Sequence, residues 1–287
     1  APLMETPKII YGHFSPSALF SFEPIGYYSN DKSYFIPTGD WFLLGLLNSK
    51  PLWYLLTRLC PAVRGGFHEV RVQYVETLPT PAADGLEISG TFRASGASAP
   101  RPGVLLLHMA SSERGQWRPL ADALVEAGYA VLAIDLRGYG KTGGAIDWEK
   151  APADIPLALE ALAGRPEVDP QRLVIVGASV GANLGLVAAA EEKAVQGVVM
   201  LSPGLVYFGI SAQDALQPYG RRPILILVGS EDGYAADSSE KLAGASQEGE
   251  LHTYPTPRHG TDLLPGTEAQ DAIDRILGFI EEVAPVR

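Results

Sequence analysis

Leu173-Val174-Ile175-Val176-Gly177-Ala178-Ser179-Val180-Gly181, continued by an alanine-rich run to Ala190, is the stretch on which the fold turns. Four consecutive apolar residues, three of them β-branched, read as a buried strand. The Gly-x-Ser-x-Gly that follows reads as a tight turn, because the positions flanking the serine must lack bulk if strand and helix are to approach each other. The alanine-rich continuation reads as a helix from Gly181 to Ala190. The helix N-terminus behind Ser179 favours negative charge at that point.

From about residue 68 onward the same alternation repeats, which predicts an α/β fold with a mostly parallel sheet covered by helices on both faces. Val70 to Leu78 and Leu86 to Ala94 read as strands around a Pro- and Gly-containing turn. Val104 to His108, Ala130 to Asp135, Val195 to Leu201 and Ile224 to Val228 read as further strands. Helices are expected over Trp117 to Ala127, Ile155 to Ala163 and Ala269 to Val283. The expected division places an appended segment at 1–66 and the catalytic domain at 67–287.

Composition separates the two parts. The first 80 residues hold 14 of the 25 aromatic residues and balance six basic against six acidic ones, whereas the remainder carries the whole net charge of −11. That charge argues against nonspecific nucleic-acid binding, which needs clustered Lys and Arg. In the aromatic segment Asp40 could cap a helix to Leu47, and Pro51 could open another reaching Leu59. Both would be apolar on most faces and would need the catalytic body or a second chain as partner. The longest apolar stretch, Trp41 to Leu59, is interrupted by Asn48-Ser49-Lys50-Pro51, which excludes a membrane span. The single cysteine, Cys60, excludes an internal disulfide, and a cytoplasmic protein is expected.

A serine hydroxyl becomes a useful nucleophile only when an imidazole accepts its proton and a carboxylate fixes that imidazole's tautomer. Asp232, in Gly229-Ser230-Glu231-Asp232-Gly233 beyond a strand, and His259, in a loop before the last helix, follow Ser179 in the order Ser, Asp, His. Glu231 is the alternative to Asp232. Among the other histidines, His13 and His68 lie outside the catalytic loops, His252 lies within a short strand, and His108 is expected to order an oxyanion loop. The oxyanion donors expected are the backbone N–H groups of Val180 and Ala110. Met109 lines the acyl pocket or simply packs in the core, and Trp117, Tyr207, Phe208 and Tyr234 are candidate pocket residues.

Gly138-Tyr139-Gly140-Lys141-Thr142 looks like the end of a phosphate-binding loop, but that motif requires glycine where Asp135 stands. Asp135 is read as a turn-stabilising residue instead. No acidic or histidine spacing implies a metal, and no cofactor is expected.

Residues 84–287 resemble the dienelactone-hydrolase-like branch of the α/β-hydrolases through Asp84-Gly85-Leu86, Leu105-Leu106-Leu107-His108, Asp135-Leu136-Arg137-Gly138, the Ser179 turn, the Asp232 loop and His259-Gly260. The resemblance implies a serine esterase acting on a small-molecule ester. Only about 20 residues separate the strand ending at Leu201 from the one starting at Ile224, so no large cap is expected. Residues 8–80 resemble a fragment of the target-recognition domain of adenine-specific DNA methyltransferases, through Lys8-Ile9-Ile10-Tyr11, Tyr34-Phe35-Ile36-Pro37, Leu44 to Lys50, Arg64-Gly65-Gly66 and Gln73-Tyr74-Val75-Glu76. No Asn-Pro-Pro-[Tyr/Phe] methyltransferase motif is present. The fragment is therefore expected to act as a lid or homodimer contact, not as a DNA-binding element. The alternatives are a peptidase or thioesterase with the same triad, or a DNA-recognition module fused to a passenger hydrolase.

Overall fold

Seven strands build the central sheet: β1 (Gly90–Arg93), β2 (Arg101–Leu107), β3 (Ala130–Ile134), β4 (Val168–Ala178), β5 (Val195–Leu201), β6 (Ile224–Gly229) and β7 (Gly249–Tyr254). Their spatial order is β7-β6-β5-β4-β2-β3-β1. All neighbours are parallel except β1, which runs antiparallel to β3. The computed structural model describes residues 8–12, 14–15, 17, 19–23, 33–36, 43–44, 47–60, 62–63, 67–69, 85–94 and 100–286. The expected strand Val70 to Leu78 and the helix cap Asp40 lie outside the described residues.

The inner strands β2 to β6 are buried on both faces over most of their length, so their apolar residues run continuously and sort by the two-residue period of the pleat. On β2, Leu105 and Leu107 join one core with helices α2 (Ala151–Ala163), α3 (Val180–Glu191) and α4 (Ala212–Tyr219). Val104 and Leu106 join the other, with α1 (Arg118–Glu126) and α6 (Ala269–Val283). Helix α5 (Gly233–Ala245) contributes Leu242 to the first core.

Two boundaries differ from the sequence pattern for identifiable reasons. Helix α2 begins at Ala151, about a turn before Ile155, with Pro152 in its first turn where the missing N–H has no helical partner to lose. Strand β4 begins at Val168, ahead of Leu173. Its register against β2 shifts between Asp169 and Leu173, around Pro170, which cannot donate to a central ladder. Between β5 and β6 there is only a two-residue hairpin, Val206–Tyr207 with Ile210–Ser211, and then α4, so the expectation of no large cap holds.

The chain divides into two compact units, Ala1–Ala83 and Asp84–Arg287. In the first, Lys8–Gly12 pairs antiparallel with Phe20–Glu23 and with Ser33–Ile36. Its helix, Lys50–Leu59, starts where Ser49 accepts from Leu52 N–H and Pro51 occupies the first turn. That helix was expected to need an outside partner. It finds one within its own unit, because Leu52, Leu56 and Cys60 bury with Ile9, Tyr11 and Phe20. Asn48 fastens the two together by accepting from Phe20 N–H (3.0 Å) and donating to Phe20 C=O (2.8 Å).

Candidate active site

Ser179 sits at the junction of β4 and α3 with φ +53° and ψ −122°. Few residues other than glycine tolerate this region, so the surroundings must hold it there. They do so through backbone contacts. Ser179 N–H donates to Leu201 C=O at 2.8 Å, and its carbonyl accepts from Ala182 N–H at 3.0 Å. A Cβ on Gly177 would stand 2.3 Å from Gly181 C=O, and one on Gly181 would stand 2.4 Å from Leu107 C=O. Both glycines of the motif are therefore required by the closeness of strand and helix. Val180 opens α3, and the first N–H groups of a helix have no carbonyl of their own to bind.

The Asp232 and His259 loops are zipped together beside the turn. Ser230 N–H donates to Tyr254 C=O (2.7 Å) and Glu231 N–H to Thr256 C=O (3.2 Å), while a Cβ on Gly229 would meet Thr256 C=O at 2.2 Å. This approach aims Asp232 at the imidazole: His259 Nδ1 lies 2.8 Å from Asp232 Oδ2 and 3.0 Å from Oδ1. Glu231, the alternative carboxylate, points into solvent. With Nδ1–H donated to Asp232, Nε2 is left as the proton acceptor. The next residue, Gly260, is left-handed (φ +56°), and its N–H donates to the buried Ser202 Oγ at 2.9 Å. Among the described residues the His259 ring hydrogen-bonds only to Asp232. Ser179, Asp232 and His259 all lie beyond the C-terminal ends of parallel strands, where open α/β sheets bind ligands.

His108 fixes the loop that follows β2. Its Nε2 accepts from Leu136 N–H at 2.9 Å, so the proton resides on Nδ1, which donates to Met109 C=O at 2.7 Å. Burial holds its pKa below the ordinary value, against the opposing pull of the Met109 hydrogen bond and of Asp135 and Glu113. In a trans peptide the C=O and the following N–H point in opposite directions. Anchoring Met109 C=O therefore fixes the direction of Ala110 N–H. Asp135 stabilises the neighbouring turn, accepting from Arg114 N–H (2.9 Å) and Lys141 N–H (2.8 Å) and pairing with the Arg114 guanidinium.

Among the described residues, the non-glycine positions with positive φ are Ser111, Ser179, Ser202 and Phe208. All stand in loops at this end of the sheet, and strain of this kind collects at functional sites. Phe208 and Gly209 (φ +50° and +84°) form the tip of the hairpin, and the Phe208 ring stacks on Trp148 (4.7 Å, 11°). Trp148 also approaches Tyr139, which meets His108 edge-on. Tyr207 meets both His259 and Tyr234 edge-on. An open cavity of about 730 Å³ lies beside the loop after β2, lined by Ser111, Glu113, Gln116 and Tyr139 among others.

Of the expected pocket residues, Tyr207 meets His259 and Tyr234, Phe208 stacks on Trp148 next to Tyr207 in the hairpin, and Trp117 stands apart. Trp117 is fully buried with Leu120 and Leu124 and lines a separate cavity of about 340 Å³ with Arg93 and Arg118. It stands just before α1 and packs into the core beside the sheet, so its place in the pocket is corrected. Met109 packs against Gly260, where an added Cβ would lie 3.0 Å from its Sδ, which sets it between the oxyanion loop and the His259 loop. Sequence reasoning missed Asn183, Trp148, Tyr139 and Ser202. Asn183 had a visible signal: it is the one polar residue in the helix before its terminal Glu191, and it is fully buried. Its Nδ2 donates to Gly204 C=O and Ile210 C=O (2.9 Å each), and its Oδ1 accepts from Gly204 N–H (3.2 Å), so it fastens the hairpin to α3. Trp148 carried no signal, because its partner is remote in sequence.

Comparisons with known proteins agree with this architecture. Residues 98–217 match the family model described as serine aminopeptidase, S33, and residues 1–80 match that of the TaqI-like C-terminal specificity domain. The latter accords with the expected recognition-domain fragment. An uncharacterized protein of Mycobacterium tuberculosis is 29% identical over 214 residues, covering 68% of this chain and 76% of its own length. Est1E from Butyrivibrio proteoclasticus, solved with ferulic acid bound, superposes with a TM-score of 0.61 at 17% identity over 70% of this chain and 96% of its own. The Pyrococcus furiosus esterase Pf2001 superposes with a TM-score of 0.60 at 19% identity, covering 71% and 89%. The Asp84–Arg287 unit has the α/β-hydrolase fold. Among the described residues, no helix is long and apolar enough to cross a membrane, and no group of three or more His, Cys, Asp or Glu could hold a metal ion.

Proposed function

We propose that this protein hydrolyses carboxylic esters through a Ser179, His259 and Asp232 triad. The observation that carries the reading is the His259–Asp232 pair, held on two zipped loops next to a serine in a strained turn. Ser179 Oγ attacks the carbonyl carbon while His259 Nε2 takes its proton, and Asp232 steadies the resulting imidazolium. The Val180 and Ala110 N–H groups stabilise the oxyanion, a contribution of roughly 10²–10³-fold per donor. Collapse releases the alcohol and leaves an acyl-enzyme, which water activated by His259 hydrolyses.

The aromatic residues Tyr207, Phe208, Trp148 and Tyr234 around the site favour short-acyl or aryl esters, with polyester chain ends a further substrate class. The dienelactone-hydrolase-like motifs and a cytoplasmic location belong to the same reading. Activity on p-nitrophenyl esters of graded chain length tests it. Ser179→Ala should lose roughly 10⁴–10⁶-fold in kcat while keeping its thermal midpoint; equal activity in both proteins would falsify the reading.

A second reading, amide cleavage, is favoured by the S33 family match together with Glu113 in the cavity wall, a carboxylate that could meet a substrate amine. Aminoacyl p-nitroanilides in the same assay separate the two. The N-terminal unit is read as a lid or dimer contact without DNA binding. Salt-dependent retention on duplex DNA would overturn this.

A further inference from the structure

Tyr207 is held at the site from several sides. Its ring meets His259 edge-on, with centroids 6.3 Å apart and planes at 87°, and meets Tyr234 at 5.7 Å and 73°. Gly204 makes the room, since a Cβ there would stand 2.7 Å from the Tyr207 ring. Asn183 ties the hairpin down at Gly204 and Ile210, on either side of Tyr207. Val206 N–H donates to the Tyr234 hydroxyl at 3.1 Å, and that hydroxyl also lies 3.3 Å from Val206 C=O, which pins the backbone next to Tyr207. Tyr207 lies near enough to Ser179 for the serine to bear on its phenol, in the direction opposite to burial. Burial foremost, then the charge of Asp232 and the nearby Tyr234, pushes its pKa up to about 12. It is therefore a permanent O–H donor at neutral pH.

In acylation the departing oxygen leaves the carbon that Ser179 Oγ has attacked, and it must sit within reach of His259 to receive a proton. A phenol whose ring meets His259 edge-on, in the neighbourhood of Ser179, flanks that place. We propose that Tyr207 is a catalytic residue of the acylation step, its O–H donating a hydrogen bond to the leaving oxygen of the ester. The carbonyl carbon to oxygen bond breaks and its electron pair goes to the leaving oxygen. That oxygen takes its proton from His259 Nε2, the imidazole returns to neutral, and Tyr207 keeps its own proton throughout. The role rests on the Ser179 and His259 reading above.

Such a donor matters most when the leaving alkoxide is basic. The test is Tyr207→Phe, which retains the ring and its contacts, assayed on acetate esters whose leaving groups run from p-nitrophenol through phenol to ethanol. Loss in kcat/KM should grow along the series, reaching roughly 10–100-fold for the alkyl ester, the scale of one charge-assisted hydrogen bond. It should shrink toward a few-fold for the p-nitrophenyl ester, with KM little changed, so that the plot of log kcat/KM against leaving-group pKa steepens. A loss equal across the series, or none, overturns the proposal, because a purely structural role would not sense the leaving group. Ser179→Ala assayed alongside separates the two readings. Activity surviving in Ser179→Ala defeats the serine mechanism itself, whereas an inactive Ser179→Ala with an unchanged Tyr207→Phe slope defeats only the role of Tyr207.

Discussion

Ser179 and Phe208 both carry a positive φ, +53° and +50°, yet the molecule holds them by different means. At the Ser179 turn the strain is locked by main-chain atoms: Gly177 and Gly181 let strand, helix and β2 approach so closely that no side chain could be added. At the hairpin tip no backbone crowding exists, since a Cβ on Gly209 would meet nothing within 4 Å. Two-residue hairpins of this form require positive φ at both central residues and favour Asn-Gly, so phenylalanine is a poor choice for the turn itself. Its ring, stacked on Trp148, supplies the compensation. The first strain is built into the core of the fold, and the second is held by side chains at the mouth of the site.

The sharpest way to break this contrast is Gly181→Ala. A methyl 2.4 Å from Leu107 C=O cannot be accommodated without moving β2 or α3, so a loss of about 3 kcal/mol or more in unfolding free energy is expected by denaturant titration. Asn183→Ala probes the hairpin's attachment. It leaves Gly204 N–H and two carbonyls without their buried partner, which should reduce stability by about 1–3 kcal/mol. It should also lower kcat/KM more than the thermal midpoint would suggest, because Tyr207 loses its anchor.

The oxyanion loop offers a pH test. His108 is buried with a lowered pKa, so the stability it contributes is present above its ordinary value of 6.5 and is lost as pH falls below that value. Unfolding free energy measured from pH 7 down to 5 should decline, and His108→Gln should flatten that decline. Phe208→Gly should have the smallest effect on stability. Relief of roughly 1–2 kcal/mol of left-handed strain offsets a lost stack of roughly 0.5–1.5 kcal/mol. The net change should stay below about 1 kcal/mol while KM for aryl esters rises a few-fold. A large destabilisation would show that the tip is as rigidly built as the Ser179 turn.

The two regions were also unequally legible. Every residue needed to recognise the Ser179 turn lies within nine positions, and the Gly177–Gly181 approach is local, although Leu107 on β2 and Leu201 on β5 complete its crowding. The Asp232 and His259 loops were legible by their order and by the strands before them. The hairpin was legible only as a short connection, because Trp148, Asn183 and Tyr234, which give it meaning, are brought to it by the sheet. Trp117 shows the opposite error: a large aromatic near the oxyanion loop in sequence turned inward, since helix α1 had to bury a side and the sheet lay beneath it.

Local periodicity and close-range sterics were enough to establish an alternating α/β unit, a serine in a strained turn and a carboxylate and imidazole in the proper order. Only the tertiary structure decided which carboxylate meets His259, how His108 fixes the loop after β2, and that a hairpin hung from Asn183 brings a phenol to His259. Those outcomes depend on strand order and on contacts between loops far apart in the chain, and such contacts leave no pattern in any single window of sequence.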